Sequence, residues 1–80
     1  MPSKSVTVGS AVGLHARPAA IIAEKAGELG SDVTINGVDA SSSLMIMTLG
    51  AGHGDTVEVA GDDQAAVDTI AALVEQDLDA

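Results

Sequence analysis

Asp32-Val33-Thr34-Ile35-Asn36-Gly37-Val38-Asp39-Ala40 decides how the rest of the chain must be arranged. Val33 and Ile35 alternate with polar neighbours, the period of a half-buried strand, and Asn36-Gly37 is a favoured pair for a two-residue hairpin turn. The segment therefore predicts two adjacent strands, over 32–35 and 38–40. Upstream the period changes. From Ala16 to Leu29, Ile22, Ala26 and Leu29 fall on one helical face with Ile21 beside them; Pro18 suits a first turn and Gly30 a C-terminal stop. Before that helix, Ser5-Val6-Thr7-Val8 alternates as a first strand and Gly9 closes it. Downstream, the serines at 41 to 43 can cap a short helix through Leu49, with Gly50 past its end, and Thr56-Val57-Glu58-Val59 makes a fourth strand. A last helix from about Gln64 to Leu78 starts at Asp62 or Asp63 and buries Val67, Ile70, Val74 and Leu78. Asp77 and Asp79 stand at the negative end of its dipole, which predicts fraying there.

The resulting order, β-α-β-β-α-β-α, supplies helices for only one face of a sheet. It predicts an α+β open-faced sandwich: a four-stranded, largely antiparallel sheet covered on one face by three helices. With 80 residues there is room for one small domain over 1–80 and no second lobe. Apolar residues make up 46% of the chain without a single Phe, Trp or Tyr, so the core must be aliphatic and bases have no ring to stack on. Twelve acids against three bases give a net charge of −9, a field that repels nucleic acid backbones and anionic lipid surfaces. The absence of cysteine excludes disulfides and thiolate zinc sites. No apolar run follows Met1-Pro2-Ser3-Lys4 and none is long enough to span a bilayer, so a cytoplasmic location is expected, without membrane insertion.

Against that acidic background, Gly13-Leu14-His15-Ala16-Arg17-Pro18 holds the only arginine, two residues from one of two histidines. His15 lies near the start of the first helix, where unpaired backbone N–H groups and the positive dipole end favour an anion. A neutral imidazole can accept a phosphoryl group there, with the Ala16 and Arg17 amides and the Arg17 side chain holding its oxygens. No Walker loop or dinucleotide fingerprint is present, so no cofactor is expected and the donor must be another protein. On these residues alone, His15 reads equally well as an ordinary helix-start residue. His53, in a turn bracketed by glycines, offers no metal constellation, and Asp62-Asp63 reads as a helix cap.

Gly13-Leu14-His15-Ala16-Arg17-Pro18-Ala19 resembles the active-site signature of HPr, the histidine-containing phosphocarrier family of the phosphoenolpyruvate-dependent sugar phosphotransferase system. Ser42-Ser43-Leu44-Met45-Ile46-Met47-Thr48-Leu49-Gly50 is similar to that family's serine-started short helix, and the element order agrees over essentially the whole chain. The resemblance implies that His15 accepts a phosphoryl group, on Nδ1 in the family, from phosphorylated enzyme I and passes it to the IIA domain of a sugar permease. Arg17 would steady the group. It implies a docking surface of Ala16, Arg17, Ala20, Ser43, Leu44, Met45, Met47 and Thr48, with Leu44 and Met47 at least partly exposed and Ile46 and Leu49 inside. Ser42 aligns with a serine that a kinase phosphorylates in some members; its plain alternative is an N-cap.

The implied protein is a carrier that needs partner enzymes to turn over, working as a monomer. Carriers of this fold also serve nitrogen-related relays and dihydroxyacetone kinase systems, and a docking module with an idle histidine is the reading from another class. Two departures from the family stand out. Glu24 and Gly27 occupy places where it often carries lysines, leaving Lys25 as the nearby base, and the segment from Ser31 to Ser41 is short, which predicts a tight hairpin.

Overall fold

The computed structural model describes residues 2–78. Its elements run β1 (Ser3–Thr7), α1 (Ala16–Leu29), β2 (Val33–Ile35), β3 (Val38–Asp39), α2 (Ser43–Thr48), β4 (Thr56–Gly61) and α3 (Gln64–Glu75). The sheet order is β1-β4-β2-β3, and every neighbouring pair is antiparallel. The expected α+β open-faced sandwich is the observed one. Asn36 (φ 49°) and Gly37 (φ 84°) both take the positive φ that a two-residue hairpin requires, so the segment from Ser31 to Ser41 does close tightly. The Asn36 side chain also accepts from the Glu58 amide at 2.8 Å, and the Asn36 amide donates to the Glu58 carbonyl. The hairpin is thereby stitched to the central strand β4.

Alternation along the strands sorts the two faces. Val6, Val33, Ile35, Val57 and Val59 are buried toward the helices, while Ser5, Thr7, Thr56 and Glu58 face outward. α3 packs across β1, β4 and β2, and α1 lies against α2 and α3. Ile22, Ile46, Val67, Ile70 and Val74 fill the space between, all at 0% exposure. With no aromatic available, volume comes from branched aliphatics, and Ala19, Ala26, Ala66 and Ala71 let the helices approach closely.

The boundaries differ from expectation where backbone partners lie far away in sequence. The first strand covers Ser3–Thr7 rather than starting at Ser5, because its register with Thr56–Ala60 carries pairing back to Ser3. Val8 leaves the strand, yet it is buried and exchanges backbone bonds with Gly54 and Asp55. The fourth strand continues to Gly61 because Val33 pairs with that residue. The strands around the hairpin are each one residue shorter than expected, Val33–Ile35 and Val38–Asp39.

The last helix is the clearest correction: it stops at Glu75, not Leu78. Gln76 turns to extended backbone (φ −79°, ψ 152°), and Gln76 and Leu78 bond to Ser10 instead of continuing the helix. Leu78 is half-buried, packed at the margin of the core, and so is Leu29 on α1. Asp77 thus stands outside the helix, while Asp79, expected at its frayed end, lies outside the described residues. At the other end Asp63, not Asp62, is the N-cap, its Oδ1 accepting from the Ala65 amide at 3.0 Å.

Candidate phosphoryl-acceptor site

His15 is the N-cap residue of α1, in extended conformation (φ −91°, ψ −163°), and its side chain makes no capping hydrogen bond. Its carbonyl starts the helix by accepting from Ala19 at 2.9 Å. The imidazole is therefore exposed and uncommitted, at the positive end of a 14-residue helix. Among the described residues nothing accepts from the Ala16 and Arg17 amides, and Pro18 has no amide to offer. Two backbone donors stand at the helix start, and the buried Pro18 ring fixes the backbone directly behind them. Arg17 is exposed and forms no ion pair among the described residues, where the one pair present joins Lys25 to Glu28 at 3.9 Å. Its guanidinium is free to meet an anion beside His15.

A shallow depression of about 200 Å³ adjoins the imidazole, lined by Val12, Leu14, Met47, Gly50, Ala51 and Gly52 along with His15. The loop leading to His15 is seated on the one leaving α2. The Leu14 amide donates to the Ala51 carbonyl at 2.9 Å, and Leu14 itself is buried. Gly13 has φ +80°, and a Cβ there would meet the Ala51 oxygen at 2.5 Å, so close seating requires the missing side chain.

Packing of α1 against α2 puts the expected docking residues on neighbouring elements. Ala16, Arg17 and Ala20 are exposed on α1. On α2, Leu44 is 69% exposed and Met45 43%, Met47 is half-buried against the core, and Ser43 is half-buried in the first turn. Thr48 is exposed and donates to the Met45 carbonyl at 2.6 Å. Ile46 is fully buried, as expected, whereas Leu49 reaches only the margin of the core because it is the C-cap rather than a residue of the buried stripe. Ser42 is the N-cap of α2, its Oγ accepting from the Met45 amide at 3.3 Å. The depression borders the other end of α2, roughly 9 Å along a six-residue helix. The structure therefore joins Met47 to His15 in one depression and leaves Ser42 at the far end of α2.

The family model described as the PTS HPr component phosphorylation site matches residues 2–76. The chain belongs to the HPr family. Family members are phosphocarrier proteins of the phosphotransferase system, which carry a phosphoryl group rather than catalyse. The chain is similar to the phosphocarrier protein HPr of Streptomyces coelicolor, at 39% identity over 99% of this chain and 94% of that protein. With the HPr of Cupriavidus necator the identity is 41%, over 92% and 91%. Its fold superposes on the crystal structure of HPr-C-His from Thermoanaerobacter tengcongensis with a TM-score of 0.88, at 26% identity and covering 100% of this chain and 98% of the other. For the phosphocarrier HPr of Bacillus anthracis the TM-score is 0.84, at 31% identity over 91% and 95%.

Three features of this HPr's site lie outside the sequence motifs. Val12, 64% exposed, forms the apolar wall of the depression. Gly9 and Ser10 tie the same loop to the end of α3. The third is a charge pattern: no acid precedes Glu24 and none falls between Asp39 and Asp55, so all twelve lie outside the two segments that build this face. That asymmetry is readable from the sequence; the acids that do approach come from outside the two segments, Asp55 accepting from the Gly52 amide at 2.8 Å and Asp77 from the Ala11 amide at 3.4 Å.

Proposed function

We propose that His15 is the residue of this HPr that accepts a phosphoryl group from phosphorylated enzyme I and delivers it to the IIA domain of a sugar permease. The observation that carries this reading is the exposed, uncommitted imidazole at the N-cap of α1, flanked by two unpaired backbone donors and an unpaired guanidinium. The imidazole lone pair forms the nitrogen–phosphorus bond as the bond from phosphorus to the donor breaks. The Ala16 amide, the Arg17 amide and the Arg17 guanidinium then hold the phosphoryl oxygens. None of these groups is a strong acid, so the adduct stays transferable.

Ala16, Arg17, Ala20, Ser43, Leu44, Met45, Met47 and Thr48 form the docking surface. Its exposed Leu44 and Met45 supply apolar area that adapts to two different partners, and none of these docking residues is itself acidic, so none repels the donor's phosphoryl charge. Ser42 is a phosphorylation candidate for a serine kinase: a phosphate there would occupy the start of α2, beside Leu44 and Met45, and interfere with docking. The carrier works as a monomeric domain over residues 1–80 in the cytoplasm. Among the described residues no helix is long and apolar enough to cross a membrane.

Delivery is tested by isolating the phosphorylated chain and mixing it with a sugar-permease IIA domain. The mass of one phosphoryl group should leave this chain and appear on the IIA domain without enzyme I present. A phosphorylated chain that keeps its group against IIA domains that a control HPr charges would overturn the sugar-relay assignment.

A further inference from the structure

Ser10 is the one polar residue buried completely, at 0% exposure, among the described residues. A hydroxyl so placed must be satisfied within the protein, and its two bonds both run to the segment 76–78. Ser10 Oγ donates to the Gln76 carbonyl at 3.3 Å and accepts from the Leu78 amide at 3.2 Å. The residues around it make the same connection: the Gly9 amide donates to the Val74 carbonyl at 3.0 Å and the Ala11 amide to Asp77 Oδ1 at 3.4 Å. Gly9 and Ser10 thus satisfy the Val74 and Gln76 carbonyls at the end of α3, Ala11 adds a bond to the Asp77 carboxylate, and the segment 76–78 is strapped to the loop that precedes His15.

The backbone of Ser10 carries that anchorage toward the site. Its carbonyl accepts from the Gly13 amide at 2.9 Å, closing a turn over 10–13. Gly13 and Leu14 then bear on Ala51, and His15 follows as the N-cap. Val12, at the tip of this turn, is the wall of the depression beside the imidazole. The turn has two supports, the Ala51 carbonyl on one side and the α3 strap on the other, and Ser10 makes both the strap's side-chain bonds and the turn's closing bond.

We propose that Ser10 is a positioning residue for His15, holding the 10–13 turn against the segment 76–78 so that the imidazole and the Ala16 and Arg17 amides keep their alignment during phosphoryl transfer. This rests on the reading of His15 as the phosphoryl acceptor. Ser10 lies away from the exposed faces of α1 and α2, so its loss alters the alignment of the reacting group and leaves docking intact. Misplacement of a reacting atom by a fraction of an ångström lowers the rate of the step without weakening the complex.

The test measures enzyme I-dependent phosphorylation of the native full chain and its Ser10→Ala and Ser10→Cys variants, at a temperature where circular dichroism shows each to be folded. The expected result for Ser10→Ala is a kcat about tenfold lower with KM within twofold of native. Ser10→Cys, whose thiol is a weaker donor and acceptor, should fall between the two. A Ser10→Ala protein with a lower unfolding midpoint but unchanged kcat and KM shows Ser10 to be structural only and overturns the proposal, as does a rise in KM alone. Should Ser10→Ala fail to fold, Ser10→Cys decides, and a kcat within twofold of native overturns the proposal. A native chain that takes up no phosphoryl group, or takes it up equally well as His15→Ala, fails the underlying reading, and that outcome is distinct because it appears without any Ser10 variant.

Discussion

Gly9→Ala should leave the chain with little stable fold. A Cβ at this position would lie 1.8 Å from the Glu75 carbonyl oxygen and 2.6 Å from its carbon. Both are backbone atoms, so no side-chain rotation relieves the clash. The neighbouring Gly9 amide is bonded to the Val74 carbonyl, so the loop cannot withdraw without losing that bond as well. Either the end of α3 or the loop before His15 must move, at a cost of about 4 kcal/mol or more, the range reserved for severe strain and overpacking. Small domains typically have only about 5–15 kcal/mol in total.

Gly27→Ala is the matched comparison. It lies inside α1 with nothing within 4 Å of its would-be Cβ and should stabilise the chain by about 1 kcal/mol through helix propensity. Urea titration followed by far-ultraviolet circular dichroism reads both. A Gly9→Ala midpoint near the native one would show that the loop and α3 do not approach as closely as described.

Arg17→Ala should slow enzyme I-dependent phosphorylation roughly 10- to 100-fold, the effect of losing charge-assisted hydrogen bonds of about 1.5–3 kcal/mol to the phosphoryl oxygens. The fold should be unaffected, because the side chain is exposed and pairs with no acid among the described residues. Arg17→Lys should restore only part of the rate, since an ammonium cannot reproduce the planar fork that grips two oxygens at once. Initial rates at fixed enzyme I, with the fold monitored by circular dichroism, check both variants. An Arg17→Ala protein phosphorylated within twofold of the native rate would remove Arg17 from the site.

Local sequence pattern carries much of this fold. The Asn36-Gly37 turn, the 14-residue helix ending at Gly30 and the alternating valines each follow from propensity and period, and their order leaves one layer of helices on an antiparallel sheet. What pattern does not carry is the closure of the chain's two ends on each other. Helix periodicity continues through Leu78, but Ser10 and Ala11, more than sixty residues away, compete for the backbone and side chain of 76–78 and end the helix at Glu75. The lengthening of β4 to Gly61 has the same origin, its partner Val33 being supplied by a strand nearly thirty residues upstream.

The candidate site divides along the same line. His15, Ala16 and Arg17 stand at a helix start that Pro18 and the motif announce, so they are legible locally. Val12 becomes part of the site only because Gly13 and Leu14 are seated on Ala51, a contact between two loops that no local pattern encodes. Ser10 carries no local signal, since a lone serine before a glycine-containing loop reads as solvent-facing; only burial against α3 gives it a role.

The most direct test of the central claim, that His15 carries the phosphoryl group, is intact mass after incubation with enzyme I, magnesium and phosphoenolpyruvate, for the native chain and for His15→Ala. The expected result is a single phosphoryl adduct on the native chain that is lost in mild acid, as a nitrogen–phosphorus bond is, and no adduct on His15→Ala. An unmodified native chain in a reaction that charges a control HPr, or an adduct that persists in His15→Ala, would contradict it.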